Sequence, residues 1–210
     1  MKVALYGATG KAGSRILKEL IARGHQITAI VRDPAKIPEP ARGVVVRQDD
    51  LSDPKKIATA VNGAEAVISA YAPPHENPDA LVGVTKRQID ALGQGSKARL
   101  VVVGGAGGLN VAPGVTLVDS GHLPAAILPI ATAHIKAFQA LRASAIDWTY
   151  FAPAAYFEPG TRTGKFRLGK DELIANAQQE SRISMEDYAI ALVDELEVPR
   201  HHRERFSIGY

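Results

Sequence analysis

The sequence predicts an α/β fold: a doubly wound parallel sheet forming one domain over residues 1–210, with a small C-terminal cap. Three observations predict it. Short, near-continuous apolar runs alternate with segments of helical periodicity, the pattern of strands buried on both faces and joined by crossover helices. A glycine-rich turn follows the first of these runs. The chain also has no internal repeat and no low-complexity stretch, so one unit of ordinary size accounts for its 210 residues.

KVALY is the first strand, and AGSRILKELIARG follows with Ile16, Leu17, Leu20 and Ile21 at helical spacing. Gly24 closes that helix, because glycine tolerates left-handed geometry. HQITAIVR is a second strand, ended by the proline-rich turn DPAKIPEPARG. VVVRQ is a third, after which Asp53 is the N-cap and Pro54 the first-turn residue of a short helix. AEAVISAY, the helix NPDALVGVTKRQIDALGQG and the strand ARLVVVG come next. Residues 107–129 read as irregular, and the helix ATAHIKAFQALRAS leads to a sixth strand, DWTYFAP. Beyond Pro153 turns dominate until the helix ISMEDYAIALVDELE and the late strand ERFSIGY. Residues 107–129 and 154–210 are expected to cap the strand ends, where open α/β sheets bind ligands.

Composition narrows the function classes. Hydrophobic residues make up 46% of the chain and charged ones 22%, the balance of a soluble globular protein. No run approaches the ~18 apolar residues of a membrane span, and no targeting segment is expected before the first strand. The absence of cysteine excludes disulfides, thiolate metal sites and a Cys nucleophile, and fits a reducing cytoplasm. The net charge is only +3, with basic residues dispersed among acids, which argues against a nucleic-acid partner. His201 and His202 are adjacent rather than at ligand spacing, so no metal site is expected. The acids Asp187, Asp194, Glu195 and Glu197 read as a solvated helix face.

Gly7, Gly10 and Gly13 stand at steps of three between the first strand and first helix. In dinucleotide-binding sheets such glycines make a tight turn, admit a pyrophosphate and pack helix on strand; the helix N-terminus supplies free N–H groups. The spacing departs from G-x-G-x-x-G, but its placement matches. Gly7, Thr9, Gly10, Lys11, Ala12 and Gly13 are therefore the expected pyrophosphate loop of a Rossmann fold. About 20 residues on, where an acid would select NAD, stands Arg32, whose fork of donors suits a 2′-phosphate. Arg15 is expected to add a second charge, and Asp33 either caps the turn at Pro34 or takes the NAD role. NADP(H) is thus preferred, with NAD(H) as the alternative. Asp50 and Leu51 are placed at the adenine, and Ser69, Ala70 and Tyr71 at the ribose and pyrophosphate.

GATGKAGSRIL, VRDP, DLSDP, VVVGGAGGL and the long blocks from LRASAIDWTYFAP to SRISMEDYAIALVDELE together resemble the atypical short-chain dehydrogenases assigned as NADH-flavin reductases. More distantly they are similar to biliverdin reductase B and the NmrA-like proteins. The resemblance implies a nicotinamide dinucleotide cofactor and reduction of a flavin or quinone, the flavin being substrate rather than resident cofactor. It implies that Gly104, Gly105 and Pro153 contact the cofactor, the block FAPAAYFEPG shaping the nicotinamide end. It also exposes a departure: Ile130 and His134 stand where active short-chain dehydrogenases of the usual kind carry the Tyr and Lys of a Tyr-x-x-x-Lys pair, and Gly104-Gly105-Ala106 replaces their serine. That loss argues against ketone chemistry and sugar epimerisation, not against hydride transfer to an electron-poor ring held face to face. His134, which ordinarily titrates near neutrality, is the candidate proton source. Tyr156, with Phe157, is the candidate flat face for a small planar acceptor. The rival reading is a non-catalytic NADP(H) sensor; a sugar-nucleotide epimerase or dehydratase is a more remote one.

Overall fold

The computed structural model describes residues 1–37 and 43–210; the middle of the proline-rich turn expected over 33–43 lies outside the described residues. Strands β1 (Lys2–Tyr6), β2 (Gln26–Val31), β3 (Val44–Gln48), β4 (Ala66–Ser69), β5 (Arg99–Val103), β8 (Trp148–Ala152), β10 (Arg167–Gly169) and β12 (Glu204–Gly209) form one sheet. Its order is β10-β12-β8-β5-β4-β1-β2-β3, and every pairing is parallel except β10 with β12. Parallel neighbours require crossovers, which the helices supply: α1 (Lys11–Ala22), α2 (Pro54–Ala60), α3 (Ala80–Leu92), α4 (Leu128–Arg142) and α5 (Met185–Glu197). The predicted α/β sheet is the observed one.

Alternation along the strands divides the core in two. Val3, Leu5, Ile27 and Phe151 face Ile16 and Leu20 of α1 and Tyr188 and Leu192 of α5. Ala4, Tyr6, Ile30 and Tyr150 face Ile57 of α2, Val84 of α3 and Leu141 of α4. Phe151 lies between two rings, with Tyr188 at 4.2 Å and Phe206 at 4.0 Å between centroids. The strand order reverses between β1 and β4, and the crevice of such a sheet opens there, at the carboxyl ends of the strands.

The C-terminal region differs from the expected cap. α5 packs on α1 beneath the sheet, and β12 is an interior strand between β8 and β10, because both are apolar on the faces they bury. The 107–129 stretch is more regular than its composition suggests: Asn110–Ala112 (β6) and Val115–Thr116 (β7) form a hairpin. It is fastened by Asn110 N–H to Asp171 O at 2.8 Å and Leu173 N–H to Asn110 O at 2.9 Å. Tyr156–Glu158 (β9) and Arg182–Ser184 (β11) form a separate parallel pair.

Of the four acids of α5, Asp194 and Glu197 are exposed as expected, whereas Asp187 and Glu195 depart from a solvated face. Asp187 is fully buried and accepts the N–H groups of Thr163 and Gly164, each at 2.8 Å, and the Tyr210 hydroxyl at 2.8 Å. Glu195, also buried, is held by Arg99 Nη1 at 2.7 Å and faces His201 Nδ1 at 2.8 Å. Among the described residues no group of three or more His, Cys, Asp or Glu is placed to hold a metal, and no helix is long and apolar enough to cross a membrane.

Candidate cofactor site

The turn from β1 into α1 is built from missing side chains. Gly7 has φ +79°, and a Cβ there would overlap the carbonyl oxygen of Ala70, directly after β4. A Cβ on Gly13 would overlap the Gly7 carbonyl oxygen, so the first turn of α1 lies against the loop only because that atom is absent. Gly10 is the N-cap of α1 and offers no side chain to its first N–H groups. Those donors, at Lys11, Ala12 and Gly13, are left with the positive end of the helix dipole for an anionic ligand.

Beside this turn lies a cavity of about 320 Å³ lined by Tyr6, Gly7, Thr9, Gly10, Ile30, Val31, Arg32, Asp49, Asp50, Leu51, Ala70, Tyr71 and Ala72. Eight of the residues expected at the cofactor, Gly7, Thr9, Gly10, Arg32, Asp50, Leu51, Ala70 and Tyr71, thus converge on one space. Lys11, Ala12 and Gly13 sit just behind it in the helix turn. Arg32 is exposed; its backbone carbonyl accepts from Gln48 Nε2 at 3.0 Å, and its guanidinium makes no hydrogen bond among the described residues. Asp33 resolves its alternative as a cap, accepting Ala35 N–H at 3.1 Å. Asp50 accepts Ser52 N–H at 3.0 Å, and hydrogen bonding from Ser52 holds its carboxyl below the usual range.

Two polar lining groups, Tyr6 and Asp49, escaped the sequence reading. Tyr6 donates its hydroxyl to Asp49 Oδ2 at 2.7 Å, and burial first, then Asp49, pushes the phenol well above its ordinary range. Asp49 is 7% exposed, and its other oxygen, Oδ1, has no hydrogen-bond partner among the described residues. A buried carboxylate oxygen left unpaired is costly, and a ligand donor in the cavity would relieve it. The only signal in the sequence was a second acid, Asp49, ahead of Asp50-Leu51.

Other expected residues lie elsewhere. Arg15 is turned away: its Nε meets Glu186 Oε1 at 2.9 Å, because α5 crosses α1 and brings that acid alongside. Ser69 is buried within the sheet, next to but not lining the cavity. Gly104 is packing space, since a Cβ there would come within 2.5 Å of the Tyr150 ring. At Gly105 a Cβ would come within 2.8 Å of the His134 imidazole, so these two glycines seat aromatic rings rather than line the cavity. Pro153 is buried at the end of β8. Tyr156 is 56% exposed on β9, with the Arg182 guanidinium 5.0 Å from its ring centroid; the partner Phe157 packs on Tyr188 at 4.7 Å. Neither ring borders the cavity, because the β9–β11 pairing carries them aside.

His134 also needs correcting. Burial pushes its imidazole down to about 4, so it is neutral near pH 7 rather than poised to titrate there. It stands 3.2 Å from Tyr150 Oη, which accepts the Gly105 N–H at 2.9 Å. Tyr150 shares a strand face with Trp148 and Ala152, a period-2 signal that it points toward α4. Burial raises this phenol well above its ordinary value.

A family model for NAD(P)H-binding proteins matches residues 7–197. The chain belongs to the NAD(P)H-binding family. This NAD(P)H-binding chain is 41% identical to the uncharacterised protein YwnB of Bacillus subtilis, over 99% of its own length and 98% of that protein's. Among solved structures, a Bacteroides thetaiotaomicron protein named as an epimerase is 43% identical with a TM-score of 0.93, covering 100% of this chain and 96% of that one. A Streptococcus pneumoniae protein named as an NADH-flavin reductase is 33% identical with a TM-score of 0.90, covering 100% and 99%. The NAD(P)H-binding assignment and the resemblance to atypical short-chain dehydrogenases therefore both hold.

Proposed function

We propose that this protein is an NADPH-dependent reductase that passes hydride to a flavin, a quinone or a similar planar acceptor. The observation that carries the reading is the cavity itself. The open first turn of α1 suits a pyrophosphate, and the exposed Arg32 guanidinium, which makes no ion pair among the described residues, suits a 2′-phosphate. NADPH bound there supplies a hydride. Gly7 and Gly13 admit the diphosphate, Arg32 selects the phosphorylated ribose, and Tyr71 and Leu51 close the walls around the remainder.

The surrounding protein supplies little acid–base chemistry. α4 contains no tyrosine, His134 is neutral, and Tyr150 is buried with a raised pKa. An acceptor that is already electron-poor needs only correct placement for hydride, with its balancing proton taken from water. The name of the Streptococcus relative supports this reading. The name of the Bacteroides relative points to epimerisation, which demands an acid–base pair on this framework. In the reductase reading the protein works in the cytoplasm on a small diffusible acceptor.

The test follows NADPH oxidation at 340 nm with FMN, riboflavin and small quinones. Saturable turnover with one of them is the expected result. Tight NADPH binding without turnover across the panel overturns the reductase in favour of a non-catalytic sensor.

A further inference from the structure

Leu51 holds φ +62°, a left-handed conformation that a bulky branched side chain seldom keeps. It persists where the surroundings over-determine it, and such outliers gather at ligand clamps. Here the surroundings are explicit. The Leu51 side chain is 5% exposed within the Tyr6, Ile30 and Ile57 cluster, while the residue forms part of the cavity wall. On one side of the turn Asp50 Oδ1 accepts Ser52 N–H at 3.0 Å. On the other, Arg87 reaches across from α3 and donates Nε–H to the Leu51 carbonyl oxygen at 2.6 Å.

Arg87 does not line the cavity, is only half-buried, and makes no ion pair among the described residues. Its hydrogen bond to one carbonyl is therefore its principal polar engagement. The helix is shaped to allow it: a Cβ at Gly83, one turn earlier, would come 3.2 Å from Arg87 Nη1. The residue so held lies beyond β3, at the end of the cavity shared with Arg32, which in sheets of this kind receives the adenosine half of a dinucleotide.

We infer that Arg87 is a positioning residue for the adenosine half of the cofactor, fixing Leu51 in its left-handed conformation so that the wall of the cavity is formed before ligand arrives. This rests on the reading of the cavity as an NAD(P)H site and adds a residue outside it. A preformed wall lowers the ordering cost paid on binding.

The experiment measures dissociation constants of NADPH, NADH and ADP-ribose by calorimetry for the wild type, Arg87→Met and Arg87→Lys, with melting temperature as a folding check. Met keeps the aliphatic stem without a donor; Lys keeps a donor. The expected result is about a tenfold loss of affinity for all three ligands in Arg87→Met, a loss of 1.4 kcal/mol, with Lys restoring most of it. In a Leu51→Gly background the Arg87→Met loss should shrink, because glycine takes positive φ without a clamp. Unchanged affinity in Arg87→Met, or a loss that is fully additive with Leu51→Gly, overturns the inference. A loss confined to NADPH also overturns it, by making Arg87 a phosphate ligand. Should wild-type protein bind none of the three, the cofactor reading itself falls, an outcome distinct from these.

Discussion

Tyr6, the last residue of β1, donates its hydroxyl to Asp49 at the end of β3, 43 positions away, at 2.7 Å across the intervening β2. The bond satisfies one oxygen of a buried carboxylate and leaves the other beside the cavity. Tyr6→Phe is expected to strand both oxygens and cost about 2 kcal/mol. Tyr6→Phe combined with Asp49→Asn should recover part of that, because an amide carries no buried charge. Urea unfolding of the two variants checks the order.

Gly13 and Gly24 separate overlap from strain. A Cβ on Gly13 collides with the Gly7 carbonyl, whereas Gly24, at φ +74°, has nothing within 4 Å. Gly13→Ala is expected to cost about 3 kcal/mol and abolish NADPH binding. Gly24→Ala should cost only about 1 kcal/mol, with binding intact. Thermal unfolding with and without cofactor reads both effects.

Arg32→Ala should raise the NADPH dissociation constant at least tenfold, the worth of a charge-assisted contact, and leave that for NADH unchanged. Equal affinities for the two cofactors before and after the substitution would remove Arg32 as the phosphate ligand.

His134 sets a pH dependence of definite sign. Its folded pKa of about 4 lies below the ordinary 6.5, so the unfolded chain binds the proton first as pH falls. The stabilisation is complete above pH 6.5 and is lost progressively toward pH 4, by up to about 3 kcal/mol. Denaturation midpoints across that window should fall more steeply for wild type than for His134→Gln.

The main sheet was legible because its strands are continuous apolar runs and its helices have clear periods. β6, β7, β9, β10 and β11 were not, since strands of two or three residues carry no period and are placed by distant partners such as Asp171 for β6. The same physics divided the site. Gly7, Arg32, Asp50 and Tyr71 could be located because strand ends converge in a known way. Arg15 could not, since nothing local reveals that α5 brings Glu186 to it. Tyr150 and Asp49 escaped for a related reason, their partners lying 45 and 43 residues away.

The position of β12 has a consequence for biosynthesis. Residues 204–209 are the last strand in sequence, yet they occupy the slot between β8 and β10. While a ribosome is still extending the chain, β8 has no neighbour on that side and presents an open hydrogen-bonding edge. The glycine-rich turn, complete within the first quarter of the chain, can therefore emerge well before the opposite edge of its own sheet is protected. Nascent chains are most exposed to mispairing in that interval.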